Sequence, residues 1–431
     1  MKQKDRSYHR MVFLKCLLLL HAVLFCCLFH PAESVAGEPA SLLTATLLVS
    51  EAYDDNVYYN SNNKIDDYYT CVQPGLELDH KTGTTSTTIQ GQWVGYFYSQ
   101  ETERDHIHHS YTLDHEYKPT YYSGLTLNGL LKKASTLGSE YRGSGRDRYD
   151  RDYFSITPGY YRDMTRNLML DFNFTYAEET FEDSAYPDYE FNQAEIGITR
   201  RLSKPGASLF LRTGYKTYDY EAEPRQTQSG ILTTIEDVVE HIIDQYDVWL
   251  GLEYPLTQTV TFNAWAGGRY SQSEYKARVQ QFAGPFFAGQ YIIDDETSGW
   301  DTITFASLKK AWTENSTATL AFARQYGPSV YGSVTETNQI DLDLMYQSLL
   351  FIIDVAGYYK TEKEEGDVVG NRKDQDTWSI SSALTWRTGE NTWLKAHYQY
   401  QTTDYNFTHD SASRNTIWLG FLVGYDLLAL F

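Results

Sequence analysis

Cysteine is nearly absent from this 431-residue chain. Of its four cysteines, Cys16, Cys26 and Cys27 lie near the N-terminus, which leaves Cys71 alone beyond them. No intramolecular disulfide can form there, so the fold is not of the disulfide-stapled kind. Methionine is scarce at 5 residues and proline at 11, against 37 tyrosines and 9 tryptophans. That balance favours strand. Basic residues are outnumbered 36 to 57, a formal net charge of -21, which makes nucleic acid an unfavourable partner. Beyond residue 29 no long apolar run occurs, so no transmembrane helix is expected there.

The one apolar run, Met11 to Phe29, follows Lys2, Lys4, Arg6 and Arg10 and precedes the small residues of "PAESVAG", Pro31 to Gly37. This is the pattern of a secretory signal, with cleavage expected near residue 37. A retained anchor is the alternative, but Lys15 and His21 interrupt the run. From residue 38 to 431 no linker or change of composition divides the chain. It reads as a single domain.

Strict alternation recurs along that domain. In "NLMLDFNFTY", Leu168, Leu170, Phe172, Phe174 and Tyr176 share one face, opposite Met169, Asp171, Asn173 and Thr175. In "QIDLDLMYQ", Ile340, Leu342, Leu344 and Tyr346 oppose Asp341 and Asp343. Carboxylates on one face cannot sit in a dry core without partners, so that face meets water. The final stretch, "TIWLGFLVGYDLLALF", repeats the pattern with Ile417, Leu419, Phe421, Val423, Tyr425, Leu427, Ala429 and Phe431 on its apolar face.

Connections alternate in length. Tight-turn signals occur at residues 81–83, 118–120, 163–167, 203–206, 255–258, 313–316 and 388–391, with a weaker one near Ser348. Between them lie longer segments such as "DDNVYYNSNNKIDD", "GSEYRGSGRDRYD" and "EPRQTQSGILTTIEDVVEH". Eight short turns and nine long loops predict an all-β fold, a transmembrane antiparallel up-and-down β-barrel of about 18 strands. Sixteen or twenty remain open, because "IEDVVEHIIDQY" and "FAGPFFAGQYIIDD", taken here as loop, could be hairpins. A soluble sandwich uses strands of about 5 or 6 residues, shorter than these. Pro74 and Pro158 lack a ladder donor and are expected at bulges or bends.

Catalytic signals are weak. His106, His108 and His109 suggest a metal only faintly, since no ligand spacing is completed around them. Asp105/His106 and Asp114/His115 are sequence neighbours and point to opposite faces of a strand. No GxSxG or HExxH occurs, so neither enzyme, metal nor cofactor is expected. The carboxylates of "DDNVYYNSNNKIDD" lack calcium-loop spacing and suggest loose cation binding at most. The water-facing sides say more. They place Tyr96, Tyr98, Trp249, Trp265, Tyr358 and Trp393 in the lumen as aromatic contacts for sugar rings, and Asp171, Asp247, Glu253, Asp341, Asp343 and Asp354 as acids for cations or hydroxyls. Space-filling, or anchoring of an inward-folded loop, is the plainer role for any one of these rings.

The apolar end resembles that of bacterial outer-membrane proteins, which present a terminal aromatic to their assembly machinery; Tyr425 and Phe431 fit. Residues 42–80 resemble the second β-barrel porin family associated with exosortase and exopolysaccharide loci of Gram-negative bacteria. The resemblance rests on Glu51, Tyr53, Asp55, Asn56 and Val57, then Pro74 and Gly75. It implies the outer membrane, with lipid and lipopolysaccharide around the barrel, and export of a polysaccharide together with periplasmic export components. A general or cation-preferring diffusion porin, or a scaffold or adhesin acting through its loops, would share the architecture.

Overall fold

The computed structural model describes residues 40–137, 148–182, 187–221, 225–229, 232–283, 286–328, 334–365, 374–406 and 410–430. The signal segment and Phe431 lie outside these residues. Nineteen strands follow one another: β1 (Ala40–Asp54), β2 (Asp67–Lys81), β3 (Thr85–Tyr98), β4 (His106–Thr120), β5 (Ser123–Leu137), β6 (Arg148–Thr165), β7 (Leu168–Phe181), β8 (Asp188–Arg201), β9 (Ser208–Glu221), β10 (Arg225–Ser229), β11 (Leu232–Pro255), β12 (Val260–Ala283), β13 (Phe286–Thr313), β14 (Ser316–Pro328), β15 (Val334–Gln347), β16 (Phe351–Glu365), β17 (Gln375–Arg387), β18 (Thr392–Tyr405) and β19 (Asp410–Leu430).

Each wall strand pairs antiparallel with its sequence neighbours, and β19 returns to β1 from Thr416↔Asp54 to Leu430↔Ser41. Closure leaves no unpaired sheet edge in lipid, where an unsatisfied backbone group costs several kcal/mol. β10 pairs only with the outer part of β11, while β11 itself joins β9. The wall is therefore a closed antiparallel barrel of 18 strands. Eight connections of two to six residues, at 82–84, 121–122, 166–167, 202–207, 256–259, 314–315, 348–350 and 388–391, lie at one end, while only two residues separate β12 from β13 and four separate β18 from β19 at the other.

Side chains divide by parity. On β7, Phe172 and Phe174 are exposed to the outside while Asp171 is buried. On β19, Ile417, Leu419, Phe421, Tyr425 and Leu427 are outward and more than 45 % exposed. Aromatic rings border this apolar belt. Near the long-loop end Tyr215, Tyr246, Tyr270 and Trp300 form a row across β9, β11, β12 and β13, with successive centroids 5.0, 6.4 and 5.3 Å apart. At the short-turn end Tyr121, Tyr122, Trp312 and Trp386 are exposed. Such girdles mark the two water interfaces of a membrane-spanning barrel.

Two expectations are corrected. "IEDVVEHIIDQY" is strand, its outer end paired with β10, and the described residues of "FAGPFFAGQYIIDD" form the outer end of the β12–β13 hairpin, Phe282 facing Phe287 and Ala283 facing Phe286. They prolong β11 and β12 to 24 residues and β13 to 28. Bilayer crossing needs about 9–11 residues, so these strands rise roughly 30 Å beyond the wall. β-branched residues such as Thr233, Thr234, Ile235 and Ile242 keep the pleat going past the rim.

The prolines are in register. β2 meets β3 at Val72↔Gly95 and again at Gly75↔Gln92, and β6 meets β7 at Ile156↔Tyr176 and Gly159↔Asn173, with equal spacing on both strands. Pro74 and Pro158 remain opposite Leu47 and Leu127. An antiparallel residue sends its N–H to one neighbour only, so proline removes one bond without bending the strand.

Candidate functional site

All twelve expected lumen residues lie on the inward face. Tyr96 and Tyr98 come from β3, Asp171 from β7, Asp247, Trp249 and Glu253 from β11, and Trp265 from β12. Asp341 and Asp343 lie on β15, Asp354 and Tyr358 on β16, Trp393 on β18. Their outward neighbours Phe97, Phe172, Val248, Leu250, Leu342 and Tyr359 are exposed. No group of three metal-capable side chains occurs among the described residues.

The acids do not behave alike. Arg212 on β9 stands 2.6 Å from Glu195 and 3.6 Å from Asp171. Lys216 is 2.8 Å from Asp247, whose other oxygen is 3.8 Å from Arg269. Asp171 and Asp247 are thus neutralised on the wall. Glu253, Asp343 and Asp354 have no basic side chain within ion-pair distance among the described residues, and Asp341 accepts a 2.6 Å bond from Gln339 Nε2. Sequence reading missed Lys216, Arg151, which pairs with Glu179 at 3.0 Å, and Arg414. Their signal was plain parity: Lys216 falls two residues after Gly214 and four after Arg212 on the same face.

The rings form platforms. Trp249 and Trp265 are 6.2 Å apart, and Trp265 stacks on Phe305 at 5.9 Å, a continuous surface across β11, β12 and β13. Nearer the outer mouth it joins a cluster of Tyr218, Tyr220, Ile243, Ile303, Tyr326 and Val334. Glycine on a neighbouring strand lets inward rings lie against the wall. Phe210 occupies the space a Cβ at Gly251 would need, and a Cβ at Gly424 would stand 3.6 Å from the Trp393 ring. Such a ring offers its π-face to the lumen.

The connection 55–66 is tucked against the inner wall at the long-loop end. Asn56, Val57, Tyr58 and Tyr59 are at most 2 % exposed, unusual for a loop. Tyr59 has a left-handed φ of 50°. Its hydroxyl shares a 2.8 Å bond with Thr403, which continues to Thr377 at 2.9 Å, and Arg414 lies over its ring at 5.2 Å. The Tyr58 hydroxyl donates to Glu101 at 2.5 Å, with Glu103 3.0 Å away, both in the connection between β3 and β4, and the Arg104 guanidinium lies 4.6 Å above its ring. Burial pushes the Tyr59 phenol up to about 12 and raises that of Tyr58 further.

Carboxylates and amides of this loop are spent on shape. Asp55 accepts 2.7 Å bonds from both the backbone and the side-chain amide of Asn415, and Asn56 donates to the carbonyls of Asn60 and Ser413. Asp67 accepts from the backbone N–H of Gln100 and Glu101. The residues suspected of holding cations loosely are turn and clasp residues. His106 and His108 share an inward face, as expected, and Tyr96 stacks on His106 at 4.6 Å. His108 Nε2 accepts from the Ser135 backbone N–H, so these rings support the mouth.

No family model matches the chain, and no curated protein matches it. Among solved structures, the ferric-catecholate import receptor Fiu of Escherichia coli K12 aligns over 88 % of this chain and 81 % of its own, at 9 % identity and a TM-score of 0.47. OpdK of Pseudomonas aeruginosa, solved with vanillate, aligns over 89 % and 99 % at 12 % identity and 0.43. The ferric yersiniabactin uptake receptor FyuA of Yersinia pestis gives 92 % and 81 %, 8 % identity and 0.44. None of their cargoes transfers to this chain. Closure, the apolar belt and the girdles make it a β-barrel of the bacterial outer membrane.

Proposed function

We propose that the barrel is a conduit, without enzymatic activity, that passes an exopolysaccharide outward across the outer membrane together with periplasmic export components. The observation that carries this reading is the inward aromatic surface of Trp249, Trp265 and Phe305. Sugar rings have apolar C–H faces that stack on aromatic rings, and hydroxyls that bond to carboxylates and amides. A chain in transit needs many weak contacts. Tyr96, Tyr358 and Trp393 supply further rings on other strands, and Glu253, Asp341, Asp343 and Asp354 supply acceptors. The resemblance of residues 42–80 to exosortase-associated barrels supports the same reading.

Deleting the gene should abolish a surface polysaccharide while its precursor continues to be made. Single Trp→Ala changes should have small effects, and joint replacement of Trp249, Trp265 and Trp393 should cut export at unchanged barrel abundance. Intact surface polysaccharide in the deletion strain would end the proposal.

A cation-preferring diffusion pore is the second reading, favoured by the acids without basic partners. Planar-bilayer recordings should then show a reversal potential favouring K⁺ over Cl⁻, weakening at high salt. Anion preference would contradict it.

A further inference from the structure

The outward faces of β6 to β9 change sign from end to end. Near the long-loop end they carry Asp152, Glu178, Glu190 and Asp219, and Glu190 stands directly opposite both Glu178 and Asp219. At the short-turn end the same strands carry arginine. Arg162 on β6, Arg166 in the β6–β7 turn and Arg200 on β8 are all exposed, and none has a carboxylate within ion-pair distance among the described residues. The adjacent Arg201 shows the contrast: it turns inward and pairs with Asp163 at 3.0 Å. In a chain of net charge -21, three neighbouring bare arginines are not a background feature.

Their position identifies the ligand. Arg162 is paired across the ladder with Leu170, and Arg200 with Leu168 and Leu209. The exposed Phe172, Ile196, Ile198 and Leu211 continue the apolar surface from there. A molecule meeting this surface needs an anionic head at the arginines and hydrocarbon along the belt. Met164, 57 % exposed, stands among the arginines as an interfacial side chain. Free phosphate would find an open, convex strip with no enclosing wall. We propose that the short-turn rim of β6 to β9 binds the phosphate headgroups of anionic phospholipids, which places this sector against the phospholipid leaflet. Guanidinium presents paired donors that match phosphate oxygens.

The test uses the full barrel in neutral detergent with equimolar phosphatidylglycerol and phosphatidylcholine, bound lipid being counted by native mass spectrometry. The wild type should retain phosphatidylglycerol about tenfold over phosphatidylcholine, and rising salt should erode that preference. The combined Arg162→Gln, Arg166→Gln, Arg200→Gln variant, checked for fold by its heat-modifiable gel migration, should lose it. Glycerol 3-phosphate in excess should not displace the lipid. Equal retention of the two lipids by the wild type, a salt-independent preference, or an unchanged preference in a folded variant would each overturn the proposal. Displacement by glycerol 3-phosphate would overturn the assignment to a lipid in favour of a simple phosphate strip.

Discussion

Asp247 illustrates how a charged residue survives inside the wall. It is 2 % exposed and lies between Lys216 and an Arg269 that is 1 % exposed. A carboxylate this buried is tolerable beside two cations, and neutralising it withdraws compensating charge from the fully buried Arg269 and the half-buried Lys216. Asp247→Asn should lower stability by about 3–5 kcal/mol, measured by urea unfolding of barrels folded in phospholipid vesicles. Asp343→Asn, on an exposed inward position of β15, should leave the unfolding midpoint nearly unmoved and alter ion selectivity instead. One substitution type, applied at two lumenal aspartates, thus separates the wall's structural charge from its solvent-facing charge.

At the scale of elements, the segment 55–66 behaves as a strap whose grip depends on neutral phenols. Burial pushes the Tyr59 phenol up to about 12, from 10.0 for an ordinary tyrosine. The docked state therefore holds its proton where a released one has lost it. The strap's grip is complete below pH 10 and falls as the pH rises towards 12. Single-channel conductance should rise across that window, in step with tyrosinate absorbance, and Tyr59→Phe should lose the Tyr59 part of the transition. A conductance independent of pH up to 12 would show that the strap does not narrow the path. The strands themselves were legible in the sequence, because "NLMLDFNFTY" or "SISSALTW" needs only a period of two to sort its faces. The strap was not. Its burial depends on Thr403 and Asn415, more than 340 residues away, and no local pattern in "DDNVYYN" encodes that meeting. The extensions of β11 to β13 were hidden for another reason: acidic residues such as Glu236 and Asp294 read as loop, although a strand above the membrane can carry them on either face.

For the whole molecule, one feature governs how it can come into being. The Asp55–Asn415 clasp and the β1–β19 ladder join the two extremities of the domain. Lengthening a flexible loop costs little in equilibrium, about 0.6 kcal/mol per doubling, so so distant a joint is affordable once formed. Order in time is the harder constraint. Until β19 arrives, β1 presents a full row of unpaired N–H and C=O groups, which hydrocarbon does not tolerate. A nascent chain truncated before Asn415 thus has no stable resting place in the bilayer, however many of its strands have paired. Insertion and closure are therefore coupled: the wall is at rest in hydrocarbon only once its first and last strands have met.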